Sequence, residues 1–195
     1  MSLSYPLAFP TSIGLESIEI RAVNAVATSQ SPYTYKQQVI SHGGQRWEAS
    51  VSIPAVRKDL AAPWKAFLVG LRGPVGTFLL SDPDYPTPQG TVSSCSLTGN
   101  AGDASVTVVM TGTLLAGDYF QLGAGASRKL HMVTQDLTGN GTLEIWPNLR
   151  SAYTAVTPDF TNPKGVFRLA TQKSSWSINN QSAYGISFEA IEVIT

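Results

Sequence analysis

Residues 47–53, Trp47-Glu-Ala-Ser-Val-Ser-Ile53, alternate strictly. Trp47, Ala49, Val51 and Ile53 fall on one side, and Glu48, Ser50 and Ser52 on the other. A period of two suits only an extended chain that buries one face, so this segment predicts a half-buried antiparallel strand. The same pattern recurs at residues 18–22, 175–179 and 186–190, with Trp176 among the inward positions. After residue 190 the alternation slips at Ile191, which predicts a bulge there. The chain therefore reads as mainly β.

One segment breaks the rule. Leu60, Trp64, Phe67, Leu68 and Leu71 recur at helical spacing, so a single amphipathic helix is expected over residues 59–72. Asp59 is placed to cap it, Pro63 is early enough to cost little, and Gly73-Pro74 stops it. Trp47, Trp64, Phe67, Leu71 and Trp176 are the expected core and scaffold positions. Burial of Trp64 or Phe67 contributes about 2–3 kcal/mol each.

Two turn-rich segments divide the chain: Asp82-Pro-Asp-Tyr-Pro-Thr-Pro-Gln-Gly90 and Thr157-Pro-Asp-Phe-Thr-Asn-Pro-Lys-Gly165. Proline lacks an N–H and fixes φ, so neither can lie inside a sheet. Between them, residues 105–110, 118–122, 129–133 and 142–146 read as short strands separated by Gly-rich turns, a pattern typical of a small barrel or sandwich. The expected organisation is a discontinuous β-sandwich domain with one helix (1–82 and 164–195) and an inserted small β-barrel or sandwich domain (83–163).

Charge narrows the classes of partner. Lys plus Arg equal Asp plus Glu at 13 each, so nothing in the balance favours nucleic acid or an anionic membrane. Charged residues are 13% of the chain, against about a quarter in an average globular protein. Uncharged polar side chains must cover part of the surface, and protein–protein contact is a natural cover for the rest. Cys95 stands alone, so no intrachain disulfide or thiolate metal cluster is expected. The opening Met1-Ser2-Leu3-Ser4-Tyr5-Pro6 has no leader pattern, and no apolar run is long enough for membrane insertion.

Candidate chemistry is sparse. His42, in an apparent loop, and His131, within a strand, are the two side chains that titrate near neutrality, but neither accompanies a nucleophile turn. Gly123-Ala-Gly125 lacks the lysine and helix of a phosphate loop and reads as a hairpin turn. Asp136, Thr138, Asn140 and Gly141 resemble the start of a calcium loop, yet Pro147 stands where the bidentate glutamate belongs. No catalytic residue, cofactor or metal is expected. Tyr119, Trp146 and Tyr153 could form a sugar-stacking platform, although core or interface roles suit such residues better.

Several runs resemble a known family: Ser31-Pro-Tyr-Thr-Tyr-Lys-Gln-Gln-Val-Ile-Ser-His-Gly-Gly-Gln-Arg-Trp-Glu-Ala49, Ala62-Pro-Trp-Lys-Ala-Phe-Leu-Val-Gly-Leu-Arg-Gly73 followed by Gly76-Thr-Phe-Leu-Leu-Ser-Asp-Pro83, Leu115-Ala-Gly-Asp-Tyr-Phe-Gln-Leu122 and Gly165-Val-Phe-Arg-Leu169. Together they are similar to the minor tail proteins of siphophages, and the likeness covers most of the chain. The resemblance implies a role like the distal tail protein: a non-enzymatic virion component, made in the bacterial cytoplasm, whose β-sandwich forms a homo-oligomeric ring, usually hexameric. That ring joins the tail tube protein to the tip or baseplate hub protein and could reach the tape measure protein. An insertion departs from the family's common plan, in which the second domain follows the first. Tyr33, Tyr35, His42 and Arg46 are the expected contact residues. The alternatives are a carbohydrate-binding module for host recognition and another tail subunit, of the tube or terminator kind.

Overall fold

The computed structural model describes residues 3–194. Met1, Ser2 and Thr195, which fall within the outer segments and the opening run read above, lie outside the described residues. The chain is mainly β with one α-helix among the described residues. Its strands are β1 (Ser17–Gln30), β2 (Gln37–Val56), β3 (Phe78–Leu80), β4 (Ser94–Gly99), β5 (Ser105–Thr111), β6 (Thr113–Leu114) and β7 (Tyr119–Leu122). They continue as β8 (Lys129–Val133), β9 (Leu137–Thr138), β10 (Gly141–Trp146), β11 (Tyr153–Val156), β12 (Gly165–Leu169), β13 (Trp176–Ile178) and β14 (Tyr184–Glu192). The helix, α1, spans Lys58–Gly70.

Two antiparallel six-stranded sheets carry the fold. The first runs β1-β2-β14-β12-β3, with β13 added on β14, and the second runs β11-β4-β5-β10-β8-β7. The Pro-rich segments are where the chain passes from one sheet to the other and back. Asp118 anchors the first crossing: its buried carboxylate accepts the amides of Gln89 (2.6 Å), Gly90 (3.1 Å) and Leu115 (2.9 Å).

The expected inward face of β2 is the core face: Trp47, Ala49, Val51 and Ile53 are all buried. Helix α1 packs over this core through Ala61, Trp64, Phe67 and Leu68, with Leu71 just beyond its end. Phe9, from the N-terminal segment, closes the layer. Its ring lies 5.4 Å from Trp64, 5.5 Å from Phe67 and 5.5 Å from Phe78. The second sheet contributes Leu130 to this same cluster, with Tyr119, Met132 and Trp146 packed against it. A separate core of Leu97, Val106, Val108, Phe120 and Leu143 fills the second sheet itself.

Local details correct the sequence reading. Helix α1 starts one residue early, with Arg57 at the cap position, so Asp59 sits inside the first turn and meets the helix dipole instead of capping. Leu60 is 37% exposed; the buried stripe begins at Ala61. Gly73 does take the left-handed conformation (φ +67°), and the Arg72 before it is left-handed too. The irregularity in β14 lies between Tyr184 and Ile186, where the partners jump from Val56 to Ile53, whereas Ile191 pairs regularly with Glu48. The slip at Ile191 arises because the outward side of the strand carries an apolar residue there. Trp176 is not core. Strand β13 is exposed along its length, and Trp176 is 38% exposed, with the Lys65 ammonium 5.8 Å from its ring.

Candidate functional site

The stretch from Asn24 to Gln45 contains one charged residue, Lys36. In the structure this stretch is not a loop. It is the outer half of the β1–β2 hairpin, paired from Val26↔Ser41 through Gln30↔Gln37 and closed by a turn over residues 31–36. His42, expected in a loop, therefore lies in β2, as does Arg46. Directly paired residues share a face, so Val26, Thr28, Val39 and Ser41 form one side of the ribbon and Ala27, Ser29, Gln38 and Ile40 the other. Every residue of β1 from Asn24 outward is exposed, and so is β2 up to Gly44. At about 3.3 Å per residue the ribbon projects about 25 Å.

A two-stranded ribbon with both faces wet is marginal on its own, and its edges present unpaired amides and carbonyls. Sequences that tolerate such an edge usually guard it with charge. Here Glu19 and Arg21 (3.7 Å apart) guard the inner half of β1, and no charged residue follows on that strand. Val26, Val39 and Ile40 are all exposed on the ribbon. Tyr33 (91% exposed) and Tyr35 (74% exposed) crown its tip. The expected contact residues are thus distributed along one arm: the tyrosines at the tip, His42 along the shaft and Arg46 at the root, where it pairs with Glu48 at 2.6 Å. Sequence reasoning missed Val26, Val39 and Ile40; the usable signal was the run of uncharged residues on both sides of the turn.

The arm's root is clamped by the second sheet. The Trp146 indole donates to Asn24 Oδ1 (2.9 Å), and the Asn148 amide donates to Gln45 Oε1 (2.7 Å). Arg150 Nη2 donates to the Gln45 carbonyl and to Glu192 Oε2 (3.3 Å), which also accepts the Trp47 amide (3.1 Å). Burial pushes the Glu192 carboxyl above its ordinary value, against the pull of the Trp47 amide and Arg150. Lys129 donates to the Val193 carbonyl (2.8 Å); burial lowers its pKa, against the attraction of Glu192.

The three aromatics considered for sugar stacking do not share a surface. Trp146 packs edge-on against Trp47 (4.4 Å), and Tyr119 lies 5.9 Å from Trp47 and 5.4 Å from Tyr85. Both belong to the junction between the sheets, while Tyr153 sits on β11 at the opposite edge of the second sheet. The residues that resembled a calcium loop are used structurally instead: the Asp136 side chain accepts the Ala116 amide, the Asn140 side chain accepts the Met110 amide, and Thr138, in β9, pairs with Thr113 of β6. Among the described residues no group of three or more His, Cys, Asp or Glu converges, and no helix is long and apolar enough to cross a membrane.

His131 is fully buried, stacked on Phe120 (5.3 Å), with Nδ1 bonded to the Pro147 carbonyl (2.8 Å). Burial pushes its pKa down to about 4, against the Pro147 bond, which favours the charged form. The folded state thus binds its proton later than the unfolded chain. Its contribution is complete above about pH 6.5 and is lost as the pH falls towards 4, an expected loss of about 3 kcal/mol. Urea unfolding of the wild type and of His131→Gln across this window isolates the effect. The glutamine variant should lack that portion of the slope, and equal slopes would remove His131 from the account.

No protein-family model matches this sequence, and no curated protein matches it significantly.

Proposed function

We propose that this chain is a non-enzymatic structural virion protein of a long-tailed phage, a distal-tail subunit that assembles with copies of itself into a ring, six by the family resemblance. The ring would link the tail tube protein to the tip or baseplate hub, in the virion tail, with the tape measure protein as a further neighbour. On this reading residues 1–82 and 164–195 make the ring and residues 83–163 form the inserted domain facing outward. The observation that supports it most is the arm: a ribbon whose paired strands carry no charge and expose Val26 and Val39 on one face and Ile40 on the other, beside an unguarded strand edge. Free monomers gain nothing from such an element, whereas a neighbour pairing with the edge and covering Val26, Val39 and Ile40 would desolvate few charges. A stable contact requires about 1,200–2,000 Å² of buried surface. The carbohydrate-binding alternative has no shared aromatic platform to rest on.

Light scattering on the purified chain, followed by negative-stain imaging, tests the reading. The expected species is a ring of about six times the 20.8 kDa chain mass, and the double substitution Val39→Ser, Ile40→Ser should return it to a monomer that still unfolds cooperatively. A wild-type chain that stays monomeric at its highest soluble concentration would overturn the proposal.

A further inference from the structure

The hairpin ladder is broken once, immediately beyond the clamp. Asn24 pairs with Gln45, and the next pair is Val26 with Ser41. Ala25 alone therefore faces three residues, His42, Gly43 and Gly44. Two of those three are glycines. Gly43 has φ +72° and open space around its Cβ position, while a Cβ on Gly44 would meet Ala25 Cβ at 3.0 Å. On the inner side of this break, the end of β10 and the segment after it grip both strands: the Trp146 indole holds Asn24, the Asn148 backbone N–H holds the Gln45 side chain, and the Arg150 guanidinium holds the Gln45 carbonyl. On the outer side no side-chain hydrogen bond joins residues 26–44 to the body among the described residues; the Gly43 amide donates locally, to Ser41 Oγ (3.4 Å). A shallow, mainly apolar hollow of about 320 Å³ lies at the break, lined by Val23, Ala25, Gly44, Gln45, Arg46 and Ile194.

We infer that the arm is jointed: its outer half swings about Ala25 and His42–Gly44, and the Arg150–Glu192 pair, with Trp146 and Asn148, is the fixed mount. A break that adds two residues to one strand keeps inward and outward side chains in phase on either side, so the arm can bend without turning its faces over. Carried on a lever of about 25 Å, a swing of about 20° moves the tyrosine tip by about 9 Å. The second sheet is thereby assigned a role in aiming the arm, whatever the arm docks on.

Pulsed EPR on the full-length chain tests this. Cys95 is replaced by alanine, and the Val39→Ser, Ile40→Ser background keeps any neighbouring copy from holding the arm. Spin labels at Lys36→Cys and Thr142→Cys report tip against body, and labels at Arg46→Cys and Thr142→Cys report root against body. The tip distribution is expected to be several times broader than the root distribution. Deleting Gly43 and Gly44 brings Ala25 opposite His42 and makes the ladder continuous, and the tip distribution should then narrow to the width of the root. Arg150→Met should broaden the root distribution, because the mount is lost. A tip distribution as narrow as the root in the undeleted chain, or one unchanged by the deletion, would overturn the joint. A root distribution unmoved by Arg150→Met would overturn the mount.

Discussion

Trp47→Ala is expected to destabilise the chain by about 3–5 kcal/mol, in the range of the largest single core truncations. Trp47 is buried on the core face of β2, and the second sheet closes over it: Trp146 lies edge-on at 4.4 Å and Tyr119 at 5.9 Å. Its indole donates to the carbonyl of buried Leu130 at 2.9 Å. Truncation thus opens a cavity between the sheets and orphans an acceptor. Trp47→Phe separates the two effects, since it keeps most of the apolar contact and should cost about 1–3 kcal/mol through the lost hydrogen bond and the smaller ring. Urea unfolding supplies both numbers. If Trp47→Ala cost under about 1 kcal/mol, the two sheets would not share a core.

Arg150→Met is expected to cost about 3–5 kcal/mol near neutral pH, because it removes the guanidinium that pairs with the buried Glu192 carboxylate and leaves it only the Trp47 amide and the attraction of Lys129. The side chains are 12% and 1% exposed, so solvent screens the pair little. The penalty has an exit. With its guanidinium partner gone, Glu192 can take up a proton, and burial already raises its pKa. A carboxyl with a raised folded pKa loses stability as the pH rises, so the deficit of the variant should be larger at pH 8 than at pH 5. Denaturation of both chains at the two pH values measures this. A deficit independent of pH would show that the lost packing of the arginine stem, not the stranded charge, sets the cost.

How much of this could be read from the sequence depended on whether a signal was local. The core face of β2 was legible because Trp47, Ala49, Val51 and Ile53 alternate with polar residues. The helix was legible from Trp64, Phe67 and Leu68. The arm was not, since Ala27, Ser29, Gln38 and Val39 alternate in no apolar sense: a ribbon wet on both faces has no reason to. Trp176 misled for the opposite reason, because Ser-Trp-Ser-Ile has the period of a buried strand while β13 sits at a margin that nothing covers. The clamp was beyond any local pattern. Arg150 and Glu192 stand 42 residues apart, and Trp146 reaches Asn24 across 122. The short strands β4 and β11 were missed: β4 alternates only over Ser94-Cys95-Ser96-Leu97-Thr98, too short a run to stand out, and β11, at the sheet's edge, takes its place by pairing with β4.

Strand order has a consequence for how the protein is made. Strand β14 lies between β2 and β12, so the centre of the first sheet is supplied by residues synthesised long after the strand they pair with. From Val56 to Tyr184 the chain grows by 128 residues, which takes roughly 6–25 s at about 5–20 residues per second. Throughout that interval the buried face of β2 and its inner edge wait without the strand that completes them. A nascent chain can build the β1–β2 hairpin and the whole second sheet, yet it cannot close its main core until β14 has emerged. A chain interrupted before β14 is left with an open, sticky sheet.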